Sequence, residues 1–266
     1  MKSVFNQLIH KILLPRGRTY DSDKTLEAGW EKVTLEGENK KKISVLFQKP
    51  DKKTIKGVVL LSHPYVSDAK QFFLKSGHAE MYLKNGFMVI IPDFNGFGES
   101  PFQNFDYTTD LVTVGNFFTR TYHDIPFFGH GISFGASNLI NYCTTSNHIL
   151  DKIIVENCLD SNLSYYKNRN QRLFFIMKGL MKIFPSLNKH HDYTKSISQL
   201  KHTRDILFIY NLEDTLTTIH MGKQIMTNCV LPCHMEIFKG KHLEAYVNEP
   251  VRYREIIVAF LSGLTK

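Results

Sequence analysis

Phe127-Phe128-Gly129-His130-Gly131-Ile132-Ser133-Phe134-Gly135-Ala136 decides how this 266-residue chain is read. An apolar run passes through Gly131-x-Ser133-x-Gly135 into a stretch of helical spacing, the strand–turn–helix context that holds a serine on a strained bend. The glycines answer a steric need: without Cβ atoms they let neighbouring backbone come close, so the turn can project the serine Oγ from the sheet edge. Chance matches to the three fixed positions number only about 0.06 in a chain of this length, before the flanking context is demanded. A serine that merely caps a helix is the plainer alternative at the same position.

Working outward, short apolar runs recur at 57–61, 87–91, 125–128, 153–155, 206–209 and 235–238, each strand-length and β-branched or aromatic in character. Helical stretches lie between them near 69–84, 107–119, 134–145, 216–227 and 249–263. Residues 30–35 and 43–48 read as a hairpin around Glu36-Gly37-Glu38-Asn39, and 49–56 as a polar linker. Alternation of this kind predicts an α/β fold with a mostly parallel sheet of about eight strands flanked by helices. One interval breaks the rhythm. Residues 159–200 are far longer than a direct connection needs, so they form an insertion, expected to be a small helical cap. Its apolar stretch 173–184, with Lys178 and Lys182 four apart, is either a packed helix or a lid over an acyl-binding pocket.

Composition sets the limits. With 42% apolar and 22% charged residues, the chain is neither disordered nor collagen-like. Its formal charge of +8, from 33 Lys+Arg and 25 Asp+Glu, favours acidic ligands or surfaces, but no nucleic-acid signature accompanies it. Cys143, Cys158, Cys229 and Cys233 are too sparse for a disulfide framework and form no CxxC pair, which suggests free thiols in a reducing compartment. In residues 1–14, Val4, Phe5, Leu8, Ile9, Ile12 and Leu13 recur at helical spacing. That amphipathic helix either docks on its own domain or makes peripheral membrane contact. Neither a secretory leader nor a membrane span is legible, so the expected location is cytoplasmic. The expected organisation is an N-terminal helix within 1–20 and one domain over 21–266.

A serine hydroxyl needs a base, and in this architecture the base follows the last strand. His242, in Phe238-Lys239-Gly240-Lys241-His242, stands there, whereas His234 lies inside the strand and His130 behind the serine turn. The imidazole needs a carboxylate to fix its tautomer. Asp214, four residues past Tyr210 and so beyond a strand end, is the leading candidate, with Glu213 and Asp160 as rivals. Developing negative charge on a substrate oxygen could be met by the Phe134 N–H at a helix start and by the Tyr65 N–H after Leu61-Ser62-His63-Pro64, since Pro64 has no N–H to give.

With these landmarks in order, residues 30–264 resemble the α/β-hydrolase superfamily, in its esterase, lipase and peptidase-like branch. His63-Pro64 stands where many members have His-Gly, 93–100 is similar to the family's Asp-x-Arg-Gly-x-Gly-x-Ser loop, and Ser133, Asp214 and His242 follow the family's chain order. Departures are Pro64 for Gly, Asn95 for Arg and Ala136 for a frequent Gly. The resemblance implies a serine hydrolase working through an acyl-enzyme, with no metal and no organic cofactor, on a small acyl substrate. A carboxylic ester is the leading class. A thioesterase or acyltransferase acting on coenzyme A or an acidic carrier protein is the alternative, and a non-catalytic binding protein of the same fold is the third.

Overall fold

The computed structural model describes residues 23–183 and 192–263, and the amphipathic helix expected in 1–14 lies outside them. The strands are β1 (Glu31–Glu36), β2 (Lys42–Gln48), β3 (Val58–Ser62), β4 (Met88–Pro92), β5 (Phe127–Ile132), β6 (Leu150–Glu156), β7 (Asp205–Asn211) and β8 (Cys233–Phe238). They make one sheet in the order β1-β2-β4-β3-β5-β6-β7-β8. Every apolar run picked from the sequence falls on a strand. The chain divides into two compact units, one of residues up to 130 with 147–150, the other of 131–146 with 151 onward.

In the first unit, β1 and β2 form the expected hairpin, antiparallel from Glu31↔Phe47 to Glu36↔Lys42. The second strand also pairs antiparallel with β4, while β3 and β4 run parallel. Both β3 and β4 are buried at every residue, the signature of strands covered on two faces. The helix expected over 69–84 divides into α1 (Gln71–Lys75) and α2 (His78–Lys84). The break comes at Gly77, whose φ of 82° no right-handed helix can contain. Next, α3 (Thr108–Thr119) turns Leu111, Val114 and Phe118 inward.

Charge is also buried here. Lys70 Nζ donates to Asp93 Oδ2 at 2.7 Å, to Glu99 Oε2 at 2.6 Å and to Ser44 Oγ at 3.0 Å. Lys41 Nζ meets Asp110 Oδ1 at 2.9 Å, and the other Asp110 oxygen accepts from the Asn95 amide nitrogens at 2.8 and 2.9 Å. Such charges persist inside a protein only when paired and hydrogen-bonded. Together these bonds hold the 93–100 loop to β2 and α3. Asn95, standing where the resembled loop has Arg, serves packing in this unit.

In the second unit, β6, β7 and β8 are parallel, with six rungs from Ile206↔Cys233 to Asn211↔Phe238. The helix after the serine turn, α4 (Phe134–Cys143), is buried at every position from Gly135 to Cys143. The insertion contributes α5 (Asn162–Arg169), α6 (Gln171–Ile183) and the short α7 (Tyr193–Ser196). Later come α8 (Ile219–Thr227), the short α9 (Ala245–Asn248) and α10 (Pro250–Ser262), the last being the helix expected over 249–263. Tyr210 of β7 presses its ring against α8 where Gly222 leaves room, since a Cβ there would come within 2.4 Å of it.

Candidate active site

Ser133 sits between β5 and α4 with φ 54° and ψ −115°. A non-glycine residue there carries strain of roughly 1–3 kcal/mol, which the surroundings must impose. Two local contacts do so. The Ser133 N–H donates to the Glu156 carbonyl of β6 at 2.8 Å. Gly131 lets the turn fold tightly on α4, because a Cβ there would lie 2.6 Å from Ala136 Cα and 2.7 Å from its nitrogen. The serine side chain makes no capping bond to α4, so the helix-cap alternative fails.

The hydroxyl lies 3.1 Å from His242 Nε2. On the other side of the ring, Nδ1 lies 2.7 Å from Asp214 Oδ2. A carboxylate only accepts, so Nδ1 carries the proton and Nε2 is left as the acceptor that faces the serine. Asp214 and His242 reach this point from the loops after β7 and β8, two adjacent parallel strands.

Asp214 is held on both oxygens. Oδ1 accepts from the Leu216 and Thr217 amides at 2.8 and 2.9 Å, and Oδ2 from Asn157 Nδ2 at 3.0 Å and from the Thr217 hydroxyl. Thr217 Oγ1 also lies 3.0 Å from His242 Nδ1. Burial would raise the Asp214 carboxyl, but bonding and charge from His242, with the Thr217 bonds, outweigh it and hold the carboxyl below its ordinary range. The acid is therefore buried and anionic. His242, by contrast, keeps 22% of its side chain exposed, and Ser133 is half-buried, so reagents can reach both.

The rivals are placed elsewhere. Glu213 accepts from the Gly240 N–H, tying the Asp214 loop to the His242 loop. Asp160 accepts from Ser161 Oγ at 3.4 Å, and its carbonyl takes the Tyr193 N–H at 2.8 Å at the base of the insertion. His130 is a buried core residue whose Nδ1 meets Tyr82 Oη at 2.9 Å, and His234 is an exposed strand residue. Sequence reasoning missed Thr217 and Asn157. A Thr three residues after the acid was a usable signal for the first, as the local turn closing on an Asp side chain needs such spacing. Asn157 is joined to Asp214 only through the pairing of β6 with β7.

Of the two amides considered for the oxyanion, Phe134 opens α4, where the helix dipole favours negative charge. Tyr65 belongs to the first unit, in the loop after β3, its ring edge-on to Phe97. His63 beside it is fully buried. Its Nδ1 donates to the Pro64 carbonyl at 2.8 Å while Nε2 accepts the Phe94 N–H at 3.2 Å, and burial lowers its pKa to about 4. It is thus a neutral brace for that loop.

The sequence matches no protein-family model and no curated protein. Solved structures do match. An esterase of Pyrococcus furiosus superposes with a TM-score of 0.73 over 94% of this chain and 96% of its own, at 16% identity. A thermostable carboxyl esterase of Bacillus coagulans, solved with glycerol, gives 0.67 over 88% and 98%, at 14% identity. A predicted CIB-like hydrolase of Thermoplasma acidophilum gives 0.59 over 88% and 98%, at 16% identity. The chain has the α/β-hydrolase fold. Within the α/β-hydrolase fold, Ser133, Asp214 and His242 occupy loops after β5, β7 and β8, and the insertion follows β6.

Proposed function

We propose that this protein is a serine hydrolase that cleaves carboxylic esters through an acyl-enzyme. The reading rests on one observation: the Ser133 hydroxyl 3.1 Å from an imidazole whose far nitrogen is 2.7 Å from a buried carboxylate. Ser133 Oγ attacks the ester carbonyl as His242 Nε2 takes its proton, and the tetrahedral oxyanion is met by the Phe134 amide at the start of α4. His242 returns the proton to the departing alcohol. Water, activated by the same imidazole, then releases the acid and regenerates Ser133. Asp214 stabilises the transient imidazolium. The cycle requires no metal or cofactor, and free thiols at all four cysteines suit a reducing compartment such as the cytoplasm.

Esters are favoured over peptides because the solved structures of like fold include proteins named as esterases. Thioesters on acidic carriers are the second reading, favoured by the +8 charge. A fluorophosphonate probe and a panel of aryl esters and acyl-thioesters test the proposal. Labelling and ester turnover that vanish together in Ser133→Ala are expected. A folded wild-type protein that takes no label would sink it and leave a binding role.

A further inference from the structure

We propose that the outward face of α6 docks on an anionic lipid–water interface. The helix has two apolar stripes. Leu173, Met177 and Met181, at four-residue intervals, point inward, Met181 being buried. The other stripe, Ile176, Leu180 and Ile183, is left 59%, 38% and 69% exposed, with Phe175 beside it at 61%. Isolated exposed apolar residues need no explanation, but four on one face of a single helix do.

Charge identifies the occupant. Over α5 and α6, Lys167, Arg169, Arg172, Lys178 and Lys182 supply five positive side chains and no Asp or Glu occurs. An apolar face flanked by unopposed cations is what an anionic bilayer surface binds, with aliphatic and aromatic groups entering the headgroup boundary and Lys and Arg meeting phosphate and carboxylate. A second copy of this face would bring the same five cations against it. Residues 1–14 carry only Lys2 and Lys11 as charged side chains, so that segment too is of like sign. No helix among the described residues is long and apolar enough to cross a membrane, so the contact is peripheral.

The same segment touches the acid loop. Asn168 Nδ2 of α5 donates to the Leu216 carbonyl at 3.3 Å, two residues past Asp214. Interfacial docking would bring the catalytic loops of this unit to a surface where apolar esters collect.

Co-sedimentation of the full chain tests the proposal, using vesicles of phosphatidylcholine alone and of phosphatidylcholine with phosphatidylserine. Binding to the anionic vesicles only, weakened by salt, is expected. Ile176→Ser with Ile183→Ser should lower the partition coefficient about tenfold or more. Gly179→Glu should lower it about fivefold. This second variant guards against misfolding, because a Cβ at Gly179 meets nothing within 4 Å. Equal binding to neutral vesicles, no binding, or binding untouched by both α6 variants would overturn the proposal. So would loss of binding in Leu8→Ser instead, or lipid-free dimers that the α6 variants dissolve.

Discussion

Glu213 and Gly240 hold each other twice: the Glu213 N–H donates to the Gly240 carbonyl at 3.0 Å, and the Gly240 N–H donates back to the Glu213 carboxylate. Asp214 follows one partner directly and His242 lies two residues past the other, so this clasp sets the distance between acid and base. Gly240 is suited to it by a φ of 109°, a conformation closed to other residues. Glu213→Ala should therefore lower kcat roughly tenfold through misplacement of the imidazole. KM for a small aryl ester should stay unchanged, and steady-state kinetics on a folded variant read the split.

Asp214→Asn should cost far more. The amide offers His242 Nδ1 a donor where an acceptor is needed, favouring the wrong tautomer, and a fall in kcat of roughly 10⁴-fold is expected. Thr217→Val removes a hydroxyl that donates to Asp214 and lies 3.0 Å from His242 Nδ1. A smaller loss of roughly tenfold should follow, because the carboxylate keeps both backbone amides. Equal losses in the two variants would contradict this ranking.

Gly131→Ala acts on the turn itself. The added methyl would strike Ala136 backbone, which cannot rotate away, so the elbow must open. We expect destabilisation on the order of 1–3 kcal/mol, measured by denaturant unfolding, together with loss of serine labelling.

Stability should fall at low pH through Glu99. Its partial burial alone would raise the carboxyl, but Lys32, Lys70 and Ser44 bond it and bring it from 4.5 to about 2. A depressed carboxyl stabilises the fold above its unfolded value and loses that contribution as pH falls through the folded one. The loss should therefore run from about pH 4.5 down to about 2. It should amount to on the order of 1 kcal/mol once solvent screening of this part-exposed group is discounted. Glu99→Gln should flatten that part of a thermal-melt pH series, and an unchanged slope would contradict the assignment.

Much of the fold was legible because β3 and β4 are continuous apolar runs, and burial on both faces leaves no other pattern for a strand to show. Where the reading slipped, at Gly77, apolar periodicity continued across a backbone break that one residue's conformation decides. Ser133 and His242 could be chosen by chain order and by position after strands, and Asp214 could be ranked first among three carboxylates by the same signs. Asn157 could not, since its amide meets Asp214 only when two strands lie side by side.

The sequence by itself determined the serine turn, because the constraint on Gly131-x-Ser133-x-Gly135 is local: five consecutive residues must share a small volume. It also determined the alternation of strand and helix, which follows from the period of apolar side chains. Only the tertiary structure decided between Asp214, Glu213 and Asp160. All three follow strands of the parallel sheet, and which one faces the imidazole depends on backbone bonds between loops that are distant in the chain. That choice is a matter of a few ångströms, and no spacing along the sequence encodes it.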